Sequence, residues 1–148
     1  MSAPTPFEIN VPQAKLDAIR ARAEAYQWFP SPAGLPDWQL GMSTPALKDI
    51  QSYWLNTYDW RAEEKKLNQY PQFIAEIDGL PIHFLHIVGE AEGKRPLLLT
   101  HGWPGSVFEF YDSIGPLAYP SQHEGKAEDA FDLIIPSLEH AYARGARV

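Results

Sequence analysis

From Pro96 to Ser106 the chain reads Pro-Leu-Leu-Leu-Thr-His-Gly-Trp-Pro-Gly-Ser, and this stretch holds the residues best suited to chemistry. An apolar run that opens on Pro96 and closes on Thr100-His101-Gly102 has the pattern of a buried strand. The Gly and Pro residues after it force a tight bend poor in side chains. A bend of this kind aims backbone N–H groups at whatever sits above the sheet edge, where they stabilise a developing negative oxygen. The chemistry such a bend offers is donation from a backbone amide to an anionic oxygen, with Pro104 holding the bend. A plain strand-to-helix turn is the other reading of the same residues. His101 has the residue type of a general base, but its place beside Gly102 suits bracing of the bend by hydrogen bonding. The indole of Trp103 is expected to line a pocket.

Other reactive side chains form no second constellation. His83 and His86 stand three apart in an alternating run, so they face opposite sides and make a shared metal site unfavourable. Glu63-Glu64 reads as a solvated surface pair, Tyr53 and Tyr58 as residues of the arm rather than of a site, and His140 as incidental. No cofactor and no metal is expected. With no cysteine, thiol chemistry and disulfide frameworks are excluded. A formal net charge of −7 without a basic stripe argues against nucleic acid. The N-terminus lacks a secretory pattern and no run is long enough to cross a bilayer, so a cytoplasmic setting is the expectation. Five Trp and seven Tyr suit an aromatic core or a pocket for an apolar ligand.

The elements that must position the bend can be read from the period of apolar residues. Pro12 opens a helix whose stripe is Leu16, Ile19, Ala23 and Tyr26. Trp28 to Trp38, interrupted by Pro30, Pro32 and Pro36, reads as an arm pinned by its aromatic residues. Ser43-Thr44-Pro45 caps a second helix carrying Leu47, Ile50 and Trp54 to about Tyr58, and Asp59 caps a third. From Gln72 the period becomes two, with strands on either side of Asp78-Gly79, a strong hairpin signal. A strand at Leu97, a helix capped by Ser106 with Phe110, Ile114 and Leu117, and a strand at Phe131–Pro136 then make a parallel crossover unit. The fold class is α/β: a helical N-terminal arm followed by the first strands of a sheet.

Four stretches together carry a resemblance to a known family. They are Phe7-Glu8-Ile9-Asn10-Val11-Pro12; Tyr53 to Arg61 running into Leu67 to Phe73; Ile77 to His86; and His101 to Ser106 with Phe131 to Leu138. In these the chain resembles the N-terminal part of microsomal-type epoxide hydrolases, a family with the α/β-hydrolase fold. The resemblance implies residues 1–70 as the N-terminal helical arm, 71–138 as a partial hydrolase core and 139–148 as an off-family tail. It implies a parent reaction in which an aspartate opens an epoxide to an ester and activated water releases a vicinal diol. The substrate would be a small apolar epoxide, and the oxyanion loop, with Trp103 as backbone donor and His101, Gly102 and Pro104 as support, would serve the second step.

The family's nucleophile elbow, acid and catalytic histidine match nothing in these residues, and from Glu139 to Val148 the family pattern is lost. The expectation is a truncated hydrolase whose tail is translated out of frame and which is inactive by itself. A non-catalytic binding or assembly module that associates with another hydrolase chain is the alternative. Without the next strand of the family's sheet, Leu97 to Thr100 would form an unpaired apolar edge open to homo-oligomers or aggregation.

Overall fold

The computed structural model describes residues 3–29, 34 and 38–138. The tail at 139–148, with His140, and the prolines of the expected arm at 30, 32 and 36 lie outside the described residues. Two compact units emerge, one spanning Asn10–Glu64 and the other made of Met1–Ile9 with Lys65–Val148.

The first unit is helical. Helix α1 (Gln13–Glu24) starts after Pro12, and α2 (Thr44–Asn56) starts at Ser43, whose Oγ accepts the Ala46 N–H at 3.3 Å with Pro45 in the first turn. Helix α3 (Trp60–Leu67) is capped by Asp59, whose Oδ1 accepts from the amides of Arg61 at 2.9 Å and Ala62 at 3.3 Å. Arg20 donates to the Leu55 carbonyl and Gln51 to the Ala23 carbonyl, tying α1 to α2. The predicted stripe is only partly covered: Leu16 and Ala23 are half-buried, whereas Ile19, Ile50 and Trp54 are exposed along a groove of about 850 Å³. Tyr26 falls beyond the helix and meets Trp28 edge-on at 4.9 Å. Phe29 and Trp38 are exposed rather than pinned, since neither is packed into a core.

Glu64 corrects the expectation of a solvated acidic pair. It is buried, and its carboxylate accepts the Val11 N–H at 2.7 Å and the Trp60 indole N–H at 3.1 Å while pairing with Arg61. The Val11 amide holds its carboxyl below the usual range against the opposing effect of burial, helped by Arg61 and Trp60.

The second unit is built on a sheet. Among the described residues its strands are β1 (Thr5–Phe7), β2 (Gln72–Ile77), β3 (Leu80–Ile87), β4 (Arg95–Leu98) and β5 (Phe131–Pro136), in the order β1-β2-β3-β5-β4. β2 and β3 form the hairpin expected at Asp78-Gly79, where both residues take positive φ, 52° and 79°. β1 pairs antiparallel with β2, Thr5 opposite Ile74, so this segment belongs to the sheet rather than to the helical arm. β3 and β5 are antiparallel, whereas β4 and β5 are parallel, as the crossover between them requires.

A 3-10 turn at Val107–Phe110, capped by the Ser106 Oγ at 3.3 Å from the Phe108 amide, leads into helix α4 (Tyr111–Ala118). α4 lays Ile114 and Ala118 on the sheet against Leu85, Ile87, Leu133 and Ile135, all at most 1% exposed. Tyr111 joins this core with its hydroxyl donating to the Leu67 carbonyl at 2.6 Å, and burial together with Tyr70 pushes its pKa up to about 12.

Two substitutions test this arrangement. Leu133→Ala empties the centre of the core and should lower unfolding stability by about 3 kcal/mol in chemical denaturation. Gly79→Val forces a β-branched residue to positive φ and should lower it by about 1–2 kcal/mol.

Candidate functional site

The bend after β4 sits at the end of the parallel pair. β4 regains a final ladder bond when the Leu99 N–H donates to the Ile134 carbonyl at 3.0 Å, and the chain then turns through His101 to Ser106. His101 is buried, at 7% exposed. Its Nε2 accepts the Leu138 N–H at 3.2 Å, which leaves the ring proton on Nδ1, 3.2 Å from the Gly102 carbonyl. The same carbonyl accepts the Gly105 N–H at 2.7 Å. One oxygen thus takes two donors, which fixes the peptide that joins Gly102 to Trp103.

The Trp103 amide has no hydrogen-bond partner among the described residues. The side of Gly102 where a Cβ would stand is open, with nothing within 4 Å. On the far side of the bend Gly105 is closed in by the Glu109 carboxylate and the Gly102 carbonyl, which a methyl group there would meet. The Trp103–Pro104 peptide is cis. The Trp103 indole is 87% exposed.

His83 and His86 lie on opposite faces of β3, as their spacing requires, with His83 buried on the core face. His83 is held at both nitrogens: Nε2 lies 2.8 Å from the Gln72 Oε1 and Nδ1 lies 2.7 Å from the Ser137 Oγ. The Gln72 oxygen can only accept, so Nε2 carries the proton and the Ser137 hydroxyl donates to Nδ1. Gln72 in turn donates to the Leu67 carbonyl at 2.7 Å and the Asn68 Oδ1 at 3.1 Å, and Asn68 exchanges two hydrogen bonds with the Ile9 backbone. Burial pushes the pKa of His83 down.

Of the residues read as site candidates, His101, Gly102, Trp103 and Pro104 share one bend, while Tyr53 and Tyr58 lie in the helical unit. Gln72 and Ser137 were not singled out in the sequence. A usable signal existed: alternation puts His83 on the same face as Leu85 and Ile87, and a polar ring there must find partners. Among the described residues no group of three or more His, Asp or Glu is arranged to hold a metal ion, and no helix is long and apolar enough to cross a membrane.

Residues 4–110 match the family model described as epoxide hydrolase N terminus. A putative epoxide hydrolase of Stigmatella aurantiaca is 47% identical over 134 residues, covering 90% of this chain and 30% of its own length. Epoxide hydrolase 1 of Sus scrofa is 36% identical over 137 residues, with the same two shares. Among solved structures, the epoxide hydrolase of Aspergillus niger matches with a TM-score of 0.80 at 34% identity, over 93% of this chain and 35% of its own. The juvenile hormone epoxide hydrolase of Bombyx mori matches with a TM-score of 0.81 at 34% identity, over 93% and 32%. The chain therefore spans about 30% of the length of these curated relatives.

His83 sets a pH dependence for the fold. Its folded pKa lies below the ordinary histidine value, so its contribution is complete above pH ~6.5 and falls as the pH drops further, where the unfolded chain takes up a proton that the folded one refuses. Between pH 7.5 and pH 5, chemical denaturation should show a stability loss that His83→Gln makes shallower. Equal slopes for both proteins would contradict this.

Proposed function

The chain belongs to the epoxide hydrolase family as its N-terminal region, and on that premise we propose that it contributes the oxyanion loop for hydrolysing an ester intermediate in epoxide opening. In the parent reaction a carboxylate attacks an epoxide carbon, the ring C–O bond breaks, and the departing oxygen takes up a proton to give a hydroxy ester. Water, giving up a proton, then adds to the ester carbonyl, whose oxygen becomes negative, and collapse of that adduct with protonation of the leaving oxygen releases the vicinal diol and restores the carboxylate. The amide of Trp103 donates to that negative oxygen. His101, Gly102 and Pro104 support it, His101 by holding the Gly102 carbonyl rather than by moving a proton.

The observation behind this reading is the contrast within one peptide: the Gly102 carbonyl is doubly held, while the Trp103 N–H beside it has no partner among the described residues. A donor fixed in advance needs no reorganisation when charge appears, which is the source of oxyanion-hole catalysis. The substrate is a small apolar epoxide. These 148 residues carry no counterpart of the family's nucleophile elbow, so the chain alone is inactive.

A second reading, that the chain is a non-catalytic module seated on another hydrolase chain or a second copy of itself, draws on the edge of the sheet. Because Leu99 donates toward β5, the backbone groups of Pro96 and Leu98 face away from it. Pro96 has no N–H to offer, which blunts the edge, yet Leu98 is 62% exposed there.

Incubated with an aliphatic or aromatic epoxide, the purified chain should form no diol; turnover abolished by a substitution within it would overturn the assignment. In a chimera in which residues 4–138 replace the matching part of the Stigmatella aurantiaca relative, Trp103→Pro removes the donor. Ester hydrolysis should then slow by about two to three decades, and an unchanged rate would show that the amide is not the donor. For the edge, sedimentation velocity should show mass rising with concentration, reversed by Leu98→Lys; a monomer at every concentration excludes the second reading's self-association.

A further inference from the structure

The exit of β5 is gripped from both sides. Ser137 stands opposite His83 on the neighbouring β3: its N–H donates to the His83 carbonyl at 2.8 Å and its Oγ meets Nδ1 at 2.7 Å. The next residue, Leu138, donates its N–H to His101 at the end of β4 at 3.2 Å. Two buried histidines, one on β3 and one in the bend after β4, therefore hold consecutive residues of its exit. Through His101 this exit is joined to the Gly102 carbonyl, and through His83 and Gln72 it is joined to Asn68 and the Ile9 backbone.

We propose that Gln72, His83 and Ser137 are positioning residues for the oxyanion loop, acting through the Ser137-Leu138 peptide to fix His101 and with it the Gly102 carbonyl. The proposal rests on the reading of that loop as an oxyanion hole for its purpose, but not for its test. Ring orientation is the physical core of it. A His101 that lost the Leu138 N–H could rotate or change tautomer, and the Gly102 carbonyl would keep only its bond from Gly105. The peptide carrying the Trp103 N–H would then be free to turn. Phe7, whose ring meets His83 edge-on at 5.1 Å, and Asn68 with its two bonds to Ile9 brace the other end of the relay. The same relay gives β1 a role: the strand holds the base on which the loop is set.

The test is made on the intact 148-residue chain by NMR, with no substrate present, so that its outcome is independent of whether the loop ever meets an oxyanion. Ring 15N spectra should show His83 protonated at Nε2 and His101 at Nδ1. In Ser137→Ala, hydrogen exchange at the Gly105 amide should speed by about tenfold, the factor carried by loss of the His101 hydrogen bond that holds its acceptor, the Gly102 carbonyl. The Glu90 amide, bonded to the Ala118 carbonyl at 2.9 Å, should keep its rate, and Ser137→Thr, which retains the hydroxyl, should restore Gly105. Unchanged exchange at Gly105 in Ser137→Ala, failure of Thr to restore it, or a His101 protonated at Nε2 would overturn the proposal. If Ser137→Ala unfolds as a whole, the two ring tautomers decide it.

Discussion

The constraint on which this structure turns is the burial of β5. Its apolar residues Leu133 and Ile135 are fully enclosed, with β3 on one side, β4 on the other and α4 above. A strand enclosed in this way must hand its chain on to water at its end, and the polar groups there cannot be left unsatisfied without costing about 1–3 kcal/mol each. Ser137 and Leu138 meet that demand with two histidines, and one of those histidines belongs to the bend that follows β4. Core packing and loop geometry are thus joined at one point: the hydrophobic strand decides where the bend is held.

The division of labour within the bend follows from donor and acceptor chemistry. A backbone amide stabilises a transient anion only if it is fixed and unspent before the charge appears. Tying the carbonyl of Gly102 to His101 and Gly105 immobilises the shared peptide plane without occupying the N–H of Trp103. Glycine at 105 lets Glu109 and the Gly102 carbonyl crowd against the bend where a side chain could not stand.

Much of this was legible in the sequence because the signals were local. The Asp78-Gly79 turn and the Ser43 and Asp59 caps are each specified by residues within a few positions of one another. What escaped depended on distant partners. β1 is a three-residue strand whose mate lies more than sixty residues away, so neither length nor alternation marks it. Glu64 sits in a charged run, and nothing in that run announces that Val11 and Trp60 will bury it. The outward indole of Trp103 was unreadable for a related reason: the sequence specifies the bend of the backbone, while what faces the ring depends on neighbours elsewhere.

The central claim is that one peptide has its carbonyl held and its N–H unspent. Hydrogen exchange at Trp103 in the unmodified chain, compared with Gly105 two residues on, measures this directly. The account predicts a Trp103 amide that exchanges near the rate of an unprotected peptide beside a Gly105 amide that is protected. A Trp103 amide protected as strongly as that of Gly105 would contradict it.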